Sequence, residues 1–344
     1  MKINDLKYDY PEELVATEPQ YPPRVMWVEQ HKSSEIPFAE LLNKIPEGDV
    51  LVVNNTKVLK RRVFAGELEI LFLKALNATD WEVLFPSRKY KLEEEIALPD
   101  GVTMKLIQKG RPQVVRLSQV VDEEYFAKNG ELPLPPYIQK ARNARHTVGA
   151  DESWYQTAFA KEAGSFAAPT ASLHFREKDL EILKSRGVKI VELTLHVGLG
   201  TFLPVTADDL DQHDMHEEYV EISPATWAEI MTAKKSGRHV WTLGTTATRS
   251  VESAANGLLK GSDAEGFSGF TKLLIQPGYS WKIADRILTN FHQPESTLLA
   301  LVSGFSSLET VKACYSWAIE RKFRLFSYGD LSVWIGAARS QKQE

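Results

Sequence analysis

A single cysteine, Cys314, in 344 residues leaves nothing for an internal disulfide to form from. It falls in VKACYSWAIERKF, a stretch of helical periodicity with no activating neighbour, so it reads as a packing residue. No run of about twenty apolar residues occurs, which excludes a membrane-spanning helix. The opening MKINDLKYDYPEEL carries acids early and lacks an apolar segment of the secretory kind, so the chain is expected to be cytoplasmic. A basic surplus is lacking too. The net charge of −5 gives no bulk attraction to nucleic acid, although an average conceals local patches. Internal repeats and low-complexity segments are also missing. The hydrophobic share of 43% and charged share of 25% are those of an ordinary globular protein long enough for two domains.

Alternating patterns supply the architecture. Val50-Leu51-Val52-Val53-Asn54-Asn55-Thr56 reads as a buried strand ending in polar residues, after a helix over 37–43. From 63 to 117 the pattern becomes short β-rich runs at 67–73, 81–85, 102–107 and 114–117, which suggests a small antiparallel barrel or sandwich. The segment 131–138, ELPLPPYI, is too rich in proline for a helix and reads as a stiff connection. Beyond 150, helices and strands alternate: helices over 154–162, 171–185, 224–235, 244–255, 296–305 and 308–321, and strands over 187–195, 239–243 and 273–276. The fold class is therefore α/β with two domains: a larger α/β domain from 1–62 and 150–344, interrupted by an antiparallel β-barrel from 63–149.

Chemistry concentrates in TLHVGLGTFLPVTADDLDQHDMHEEY, residues 194–219, which holds three of the eight histidines. His196 stands where a strand ends. Gly198 and Gly200 allow a sharp turn or a close approach. His213 and His216 follow, with Glu217 and Glu218 beside them. One reading is a metal site built from His196, His213, His216 and Glu218, whose atoms suit zinc or iron. His-x-x-His lacks the spacing and internal glutamate of His-Glu-x-x-His, so that signal is weak and no metal is assigned. The other reading is proton transfer near neutral pH by histidine beside carboxylate. The strand 239–243 runs into Gly244-Thr245-Thr246-Ala247-Thr248-Arg249, presenting amides and hydroxyls at a helix start. No Walker pattern of glycine and lysine is present there.

Three acid-free basic patches stand out in an acidic chain: Lys57, Lys60, Arg61 and Arg62; Lys105, Lys109, Arg111 and Arg116; and Lys140, Arg142, Arg145 and His146. Such patches suit phosphate groups, as they also suit a solvated surface.

Taken together, GDVLVVNNTKVLKRR, GELPLPPYI, YQTAFAKEAGSFAAPTASLHF, LTLHVGLGTFLPV, DMHEEYVEI, LGTTATRSVESA, LTNFHQPESTLLALVSGF and FRLFSYGD resemble the S-adenosylmethionine:tRNA ribosyltransferase-isomerase family of queuosine biosynthesis. They occur in that family's order from residue 48 to 330. The chain departs from the family at Tyr21-Pro22-Pro23-Arg24, where an Asp-x-Ser-Arg element is usual, and at Phe85-Pro86-Ser87-Arg88-Lys89. The resemblance implies transfer and isomerisation of the ribosyl part of S-adenosylmethionine onto 7-aminomethyl-7-deazaguanine at the tRNA wobble position. It also implies epoxyqueuosine as product, release of adenine and methionine, and an inserted β-barrel. No prosthetic group is expected, given the weak ligand spacing and a sulfonium that already activates the reaction, with S-adenosylmethionine as cosubstrate. On that footing His196, His216 and Glu218 are the expected catalytic residues, with His174 and His292 in reserve. Asn54, Asn55, Thr56, Thr245, Thr246 and Arg249 are the expected contacts to the cosubstrate. Lys57, Lys60, Arg61, Arg62, Tyr137, Lys140, Arg142 and Arg145 are the expected contacts to tRNA, and the protein is expected to act as a monomer. Two alternatives stay open. A methyltransferase would use the same cosubstrate, but a third glycine after Gly200 is missing and so is a suitably placed acid. A non-catalytic RNA-binding module would need the basic patches but not the polar turns.

Overall fold

A computed structural model describes residues 1–198, 200 and 207–336. Leu199 and Thr201, part of the expected glycine-rich turn, lie outside the described residues. The chain forms two compact units: Met1–Lys57, Pro135–Ala144 and Ser153–Glu344 in the first, Val58–Leu134 and Arg145–Glu152 in the second.

The first unit is built on a ten-stranded mixed sheet. Its centre is four parallel strands in the spatial order Lys189–His196, Val50–Asn54, Val240–Leu243 and Arg286–Asn290. Val50–Asn54 and Val240–Leu243 are buried along their whole length, as parallel strands covered on both faces must be. Side chains alternate across the sheet. Val50 and Val52 enter one core with Trp227, Ile230, Ala247 and Val251 from the helices Pro224–Lys235 and Gly244–Ala255. Leu51 and Val53 enter the opposite core with Phe38, Leu41, Leu180 and Leu183 from the helices Phe38–Lys44 and Glu177–Ser185. Each fully buried aliphatic side chain contributes roughly 1.5–3 kcal/mol, so a one-residue slip of this strand would exchange both cores at once. Leu331–Ile335 adds antiparallel to Arg286–Asn290, and Glu218–Ile222 adds antiparallel to Lys189–His196. Cys314 is buried in the helix Leu308–Glu320, within the core around Phe291 and Tyr315.

The second unit is a seven-stranded antiparallel sheet. Its order is Gly130–Glu131, Arg62–Ala65, Leu68–Ala75, Asp80–Leu84, Gln113–Leu117, Thr103–Gln108 and Glu95–Ala97. Leu68, Ile70 and Phe72 alternate inward to meet Trp81, Val83, Met104, Leu106, Val115 and Phe126. The expected antiparallel barrel is found as a half-barrel: the sheet is antiparallel throughout, but its edge strands Gly130–Glu131 and Glu95–Ala97 do not pair with each other to close it.

Several local expectations change. The expected helix over 171–185 is a short 3₁₀ turn, Thr170–His174, followed by the helix Glu177–Ser185. Pro136–Arg142 is a helix in the first unit. Proline is tolerated in a first turn, where its missing N–H has no intrahelical partner to lose. The expected helix over 154–162 is mostly turn and then a strand, Glu162–Ser165. The expected strand over 273–276 has no regular pairing. Among the described residues no helix is long and apolar enough to cross a membrane.

Candidate active site

The four parallel strands end together at Asn54, His196, Leu243 and Asn290, and open sheets of this kind bind ligands beyond the carboxyl ends of their strands. A cleft of about 780 Å³ lies there, lined by Val197, Gly244 to Thr246 and Thr289 to His292 among others. That volume suits a nucleoside-sized ligand.

One wall is charged. The helix Gly244–Ala255 starts at a glycine with φ 90° and has no side-chain cap, so its first amides are left for another acceptor. One turn in, Arg249 ion-pairs with Glu218, both about 94% buried (relative exposure 6% each). Arg249 Nε also donates to the Leu273 carbonyl at 3.0 Å, and Glu218 Oε1 accepts from the Gly198 amide at 3.3 Å. Arg249 Nη2 and Thr246 Oγ1 are buried without a hydrogen-bond partner among the described residues. Leaving such donors unsatisfied costs about 1–3 kcal/mol each, more for a charged group. Both residues line the cleft, so a ligand carboxylate or hydroxyl there recovers that cost.

His213 and His216 reach the cleft from the loop before Glu218–Ile222. His216 is exposed and packs on Gly200, where an added Cβ would come within 2.4 Å of its ring. Burial lowers the pKa of His213, and its neighbour His216 lowers it further. His174 and His292 lie deeper. His174 Nε2 meets the Asn290 amide at 2.9 Å and His292 Nε2 meets the Thr289 hydroxyl at 2.9 Å. Burial pushes each down to about 3, so both are neutral at pH 7. Among the described residues no three His, Cys, Asp or Glu side chains converge as metal ligands.

A second wall is aromatic: Tyr10, Tyr137 and Phe326, with Pro135 and Pro136. Phe326 has φ 69°, a left-handed conformation that costs a bulky residue roughly 1–3 kcal/mol and marks functional sites more often than loops at large.

The chain's matches to known proteins fit this placement. The model of the family described as queuosine biosynthesis protein matches residues 3–334. The S-adenosylmethionine:tRNA ribosyltransferase-isomerase of Halothermothrix orenii is 39% identical over 96% of this chain and 98% of its own length. This chain belongs to the queuosine biosynthesis protein family. The enzyme of the same name from Parvibaculum lavamentivorans is 38% identical over 98% of this chain and 100% of its own. The crystal structure of S-adenosylmethionine tRNA ribosyltransferase from Thermotoga maritima has a TM-score of 0.55 at 26% identity, covering 96% of this chain and 99% of that one.

Within this member of the queuosine biosynthesis family the cleft gathers His216, Glu218, Thr245, Thr246, Arg249, Tyr137 and Lys140 from the residues expected by sequence. The others sit elsewhere. Asn54 is fully buried and clasps Leu195, donating to its carbonyl at 2.9 Å and accepting from its amide at 3.0 Å. Asn55 accepts from the Thr194 hydroxyl at 2.8 Å. Thr56 Oγ1 meets His196 Nδ1 at 2.8 Å and Ser165 Oγ at 2.7 Å, and Ser165 Oγ accepts from the Val197 amide at 2.8 Å. His196 lies flat on Gly164, where a Cβ would fall 2.6 Å from its ring, and stacks on Tyr219. These bonds lock the strand ends beneath the cleft and leave burial to lower the His196 pKa.

The basic residues are largely engaged. In the second unit Lys60 pairs with Glu152 at 2.5 Å, Arg62 with Glu131 at 2.9 Å and Arg145 with Glu67 at 2.8 Å. Arg61 donates to Glu123 at 3.0 Å and lies over the Phe126 ring. In the first unit Lys140 pairs with Glu12 at 2.7 Å and Arg142 donates to the Thr17 carbonyl at 2.9 Å. Lys57 is exposed, without an ion pair among the described residues. Tyr137 is half-buried, its hydroxyl bonded to Ser327. Arg24, beside the departure from the family's early element, is held by Glu35 at 2.7 and 2.8 Å and stacks on Phe323. Sequence reasoning missed Tyr10, Asn290 and Phe326 as cleft residues, although the last two sit inside matched motifs. Their burial and backbone angles have no signature in residue type.

Proposed function

We propose that this protein transfers and isomerises the ribosyl moiety of S-adenosylmethionine onto 7-aminomethyl-7-deazaguanine at the wobble position of tRNA. The products are epoxyqueuosine-tRNA, adenine and methionine. The observation that carries this reading is the buried Arg249, whose Nη2 has no hydrogen-bond partner among the described residues, beside a helix start without a side-chain cap, in a cleft of about 780 Å³. An amino-acid carboxylate attached to a nucleoside supplies the acceptor this wall needs, and the relatives' name supplies the cosubstrate.

The chemistry follows from the sulfonium, which acidifies the adjacent C5′ hydrogens. A base removes one of them, the ribose opens, and adenine leaves with a proton. The substrate amine then adds to the sugar, and closure of the epoxide expels methionine as a neutral thioether. Each transfer needs a positioned acid or base in a site that limits water. His216 is assigned that role because it lines the cleft from an exposed loop, whereas the Nε2 atoms of buried His174 and His292 are engaged by Asn290 and Thr289. Glu218 orients Arg249 and the Gly198 turn. His196 supports the strand ends from below. Incubation with S-adenosylmethionine and precursor-bearing tRNA, followed by nucleoside mass analysis and assay of free adenine, tests this. S-adenosylhomocysteine in place of adenine and methionine would replace the reading with methyl transfer.

A further inference from the structure

The aromatic wall has no part in the chemistry above; the FRLFSYGD loop, residues 323–330, supplies its Phe326. The loop is held closed on itself. At Gly329 a Cβ would lie 2.5 Å from the Arg324 carbonyl oxygen, so only glycine permits the approach. Buried Asp330 accepts from the Arg324 amide at 2.8 Å and the Arg24 amide at 3.0 Å. Those contacts keep Phe326 in its left-handed conformation, φ 69°. Its ring then stands nearly edge-on to Tyr10 at 5.1 Å and Tyr137 at 5.2 Å. The next residue, Ser327, bonds the Tyr137 hydroxyl and accepts from Asn290 Nδ2 at 3.4 Å through its carbonyl. Asn290 is itself fixed by Thr170 and His174 at 2.9 Å each.

An edge-to-face contact fixes the orientation of an aromatic ring and occupies at most one of its two faces. Tyr10 and Tyr137 are only half-buried and line the cleft with Phe326 and two prolines. A rigid pair of tyrosines of this kind suits a flat heteroaromatic ring, whose stacking needs a π-face rather than a charge. The charged wall at Arg249 suits the opposite chemistry.

We propose that Tyr10 and Tyr137, set in place by the strained Phe326 loop, form the subsite that stacks the adenine of S-adenosylmethionine while Arg249 holds its carboxylate. This assignment rests on S-adenosylmethionine being the cosubstrate. It gives the aromatic wall a task in the reaction: the ring that leaves is held in one plane as its bond to the sugar breaks. The modified base of tRNA is also planar, and the test separates the two.

The full-length protein is titrated calorimetrically with S-adenosylmethionine, with 5′-methylthioadenosine, which has the adenine but no carboxylate, and with precursor-bearing tRNA. Tyr10→Ala and Tyr137→Ala should weaken both small ligands about 10-fold or more, whereas Tyr137→Phe, which keeps the ring, should stay within about 3-fold. If Tyr137→Ala does not fold, Tyr137→Leu preserves apolar volume without a ring and carries the same expectation. Unchanged affinity for both small ligands in the ring-deleting variants overturns the adenine subsite. A loss confined to tRNA does so too, and gives the wall to the tRNA base. Wild-type protein that binds neither small ligand overturns the cosubstrate reading itself, a result distinct from the other two.

Discussion

Glu218 joins a loop to a helix: one carboxylate oxygen accepts from the Gly198 amide at 3.3 Å and the other from the Arg249 guanidinium, with both side chains buried. Breaking a buried pair by removing one partner leaves an uncompensated charge and costs about 3–5 kcal/mol. Glu218→Ala should therefore lower unfolding stability by about that amount in urea. Arg249→Lys keeps the charge but loses the planar fork. It should weaken S-adenosylmethionine by roughly 10-fold or more and leave 5′-methylthioadenosine nearly unchanged. Equal losses for the two ligands would detach Arg249 from the carboxylate.

Asn54 separates support from chemistry. Its carboxamide satisfies the Leu195 amide and carbonyl together, at no exposure to solvent. Asn54→Ala orphans both groups inside the sheet, so a loss of about 2 kcal/mol or more is expected. Affinity for S-adenosylmethionine, measured where the variant is folded, should change little. A selective loss of ligand affinity at wild-type stability would return Asn54 to the binding site.

His174 and His292 predict a pH dependence of stability. Burial holds each at about 3, against an ordinary value of 6.5. Between those values the unfolded chain binds protons that the folded chain refuses. Their contribution is therefore complete above pH 6.5 and is lost as pH falls toward about 3, by up to roughly 1.4 kcal/mol per pH unit for each histidine. Urea denaturation at pH values of about 7.5, 6.5 and 5.5 should show the decline, and His292→Gln should flatten it. An equal slope in the variant would mean that His292 is protonated in the folded protein.

What can be read from the sequence follows from periodicity. Val50–Asn54 and the helix Gly244–Ala255 are legible because a continuous β-branched run and a strand–glycine–helix transition leave little choice. The charged wall at Thr245, Thr246 and Arg249 is legible for the same reason. Asn54, Asn55, Thr56 and His196 show the limit. Polar residues at a strand end look alike whether they face a ligand or fasten a neighbouring strand, and only the partner at Leu195, Thr194 or Ser165 distinguishes the two. Pro136–Arg142 escapes a reading by residue type because three prolines hide a helix whose first turn accepts one. Of the aromatic wall only Tyr137 is legible; Tyr10 and Phe326 are not, since their place depends on the left-handed backbone of Phe326 and on residues far apart along the chain.

Charge runs are the least decisive signal, and they lead to the last prediction. Arg61 and Arg62 are only 6% and 1% exposed, and their guanidinium groups are engaged by Glu123 and Glu131. Gripping a phosphate through either would first break a pair that the second unit relies on. Lys57 is exposed, and Lys140, although paired to Glu12, is 75% exposed in a surface ion pair of little strength. Replacing Lys57 or Lys140 by glutamine should therefore weaken tRNA binding. It should also reduce the slope of log affinity against log salt by roughly 0.7–0.9 for each phosphate that is no longer neutralised. Arg62→Gln should lower the stability of the protein while leaving that slope as it is, because a counterion is released only where a phosphate is neutralised. Filter binding across a range of salt concentrations, with denaturation run in parallel, reads both effects. An unchanged slope in both lysine variants, with a reduced one in Arg62→Gln, would show that the buried arginine turns outward when tRNA binds.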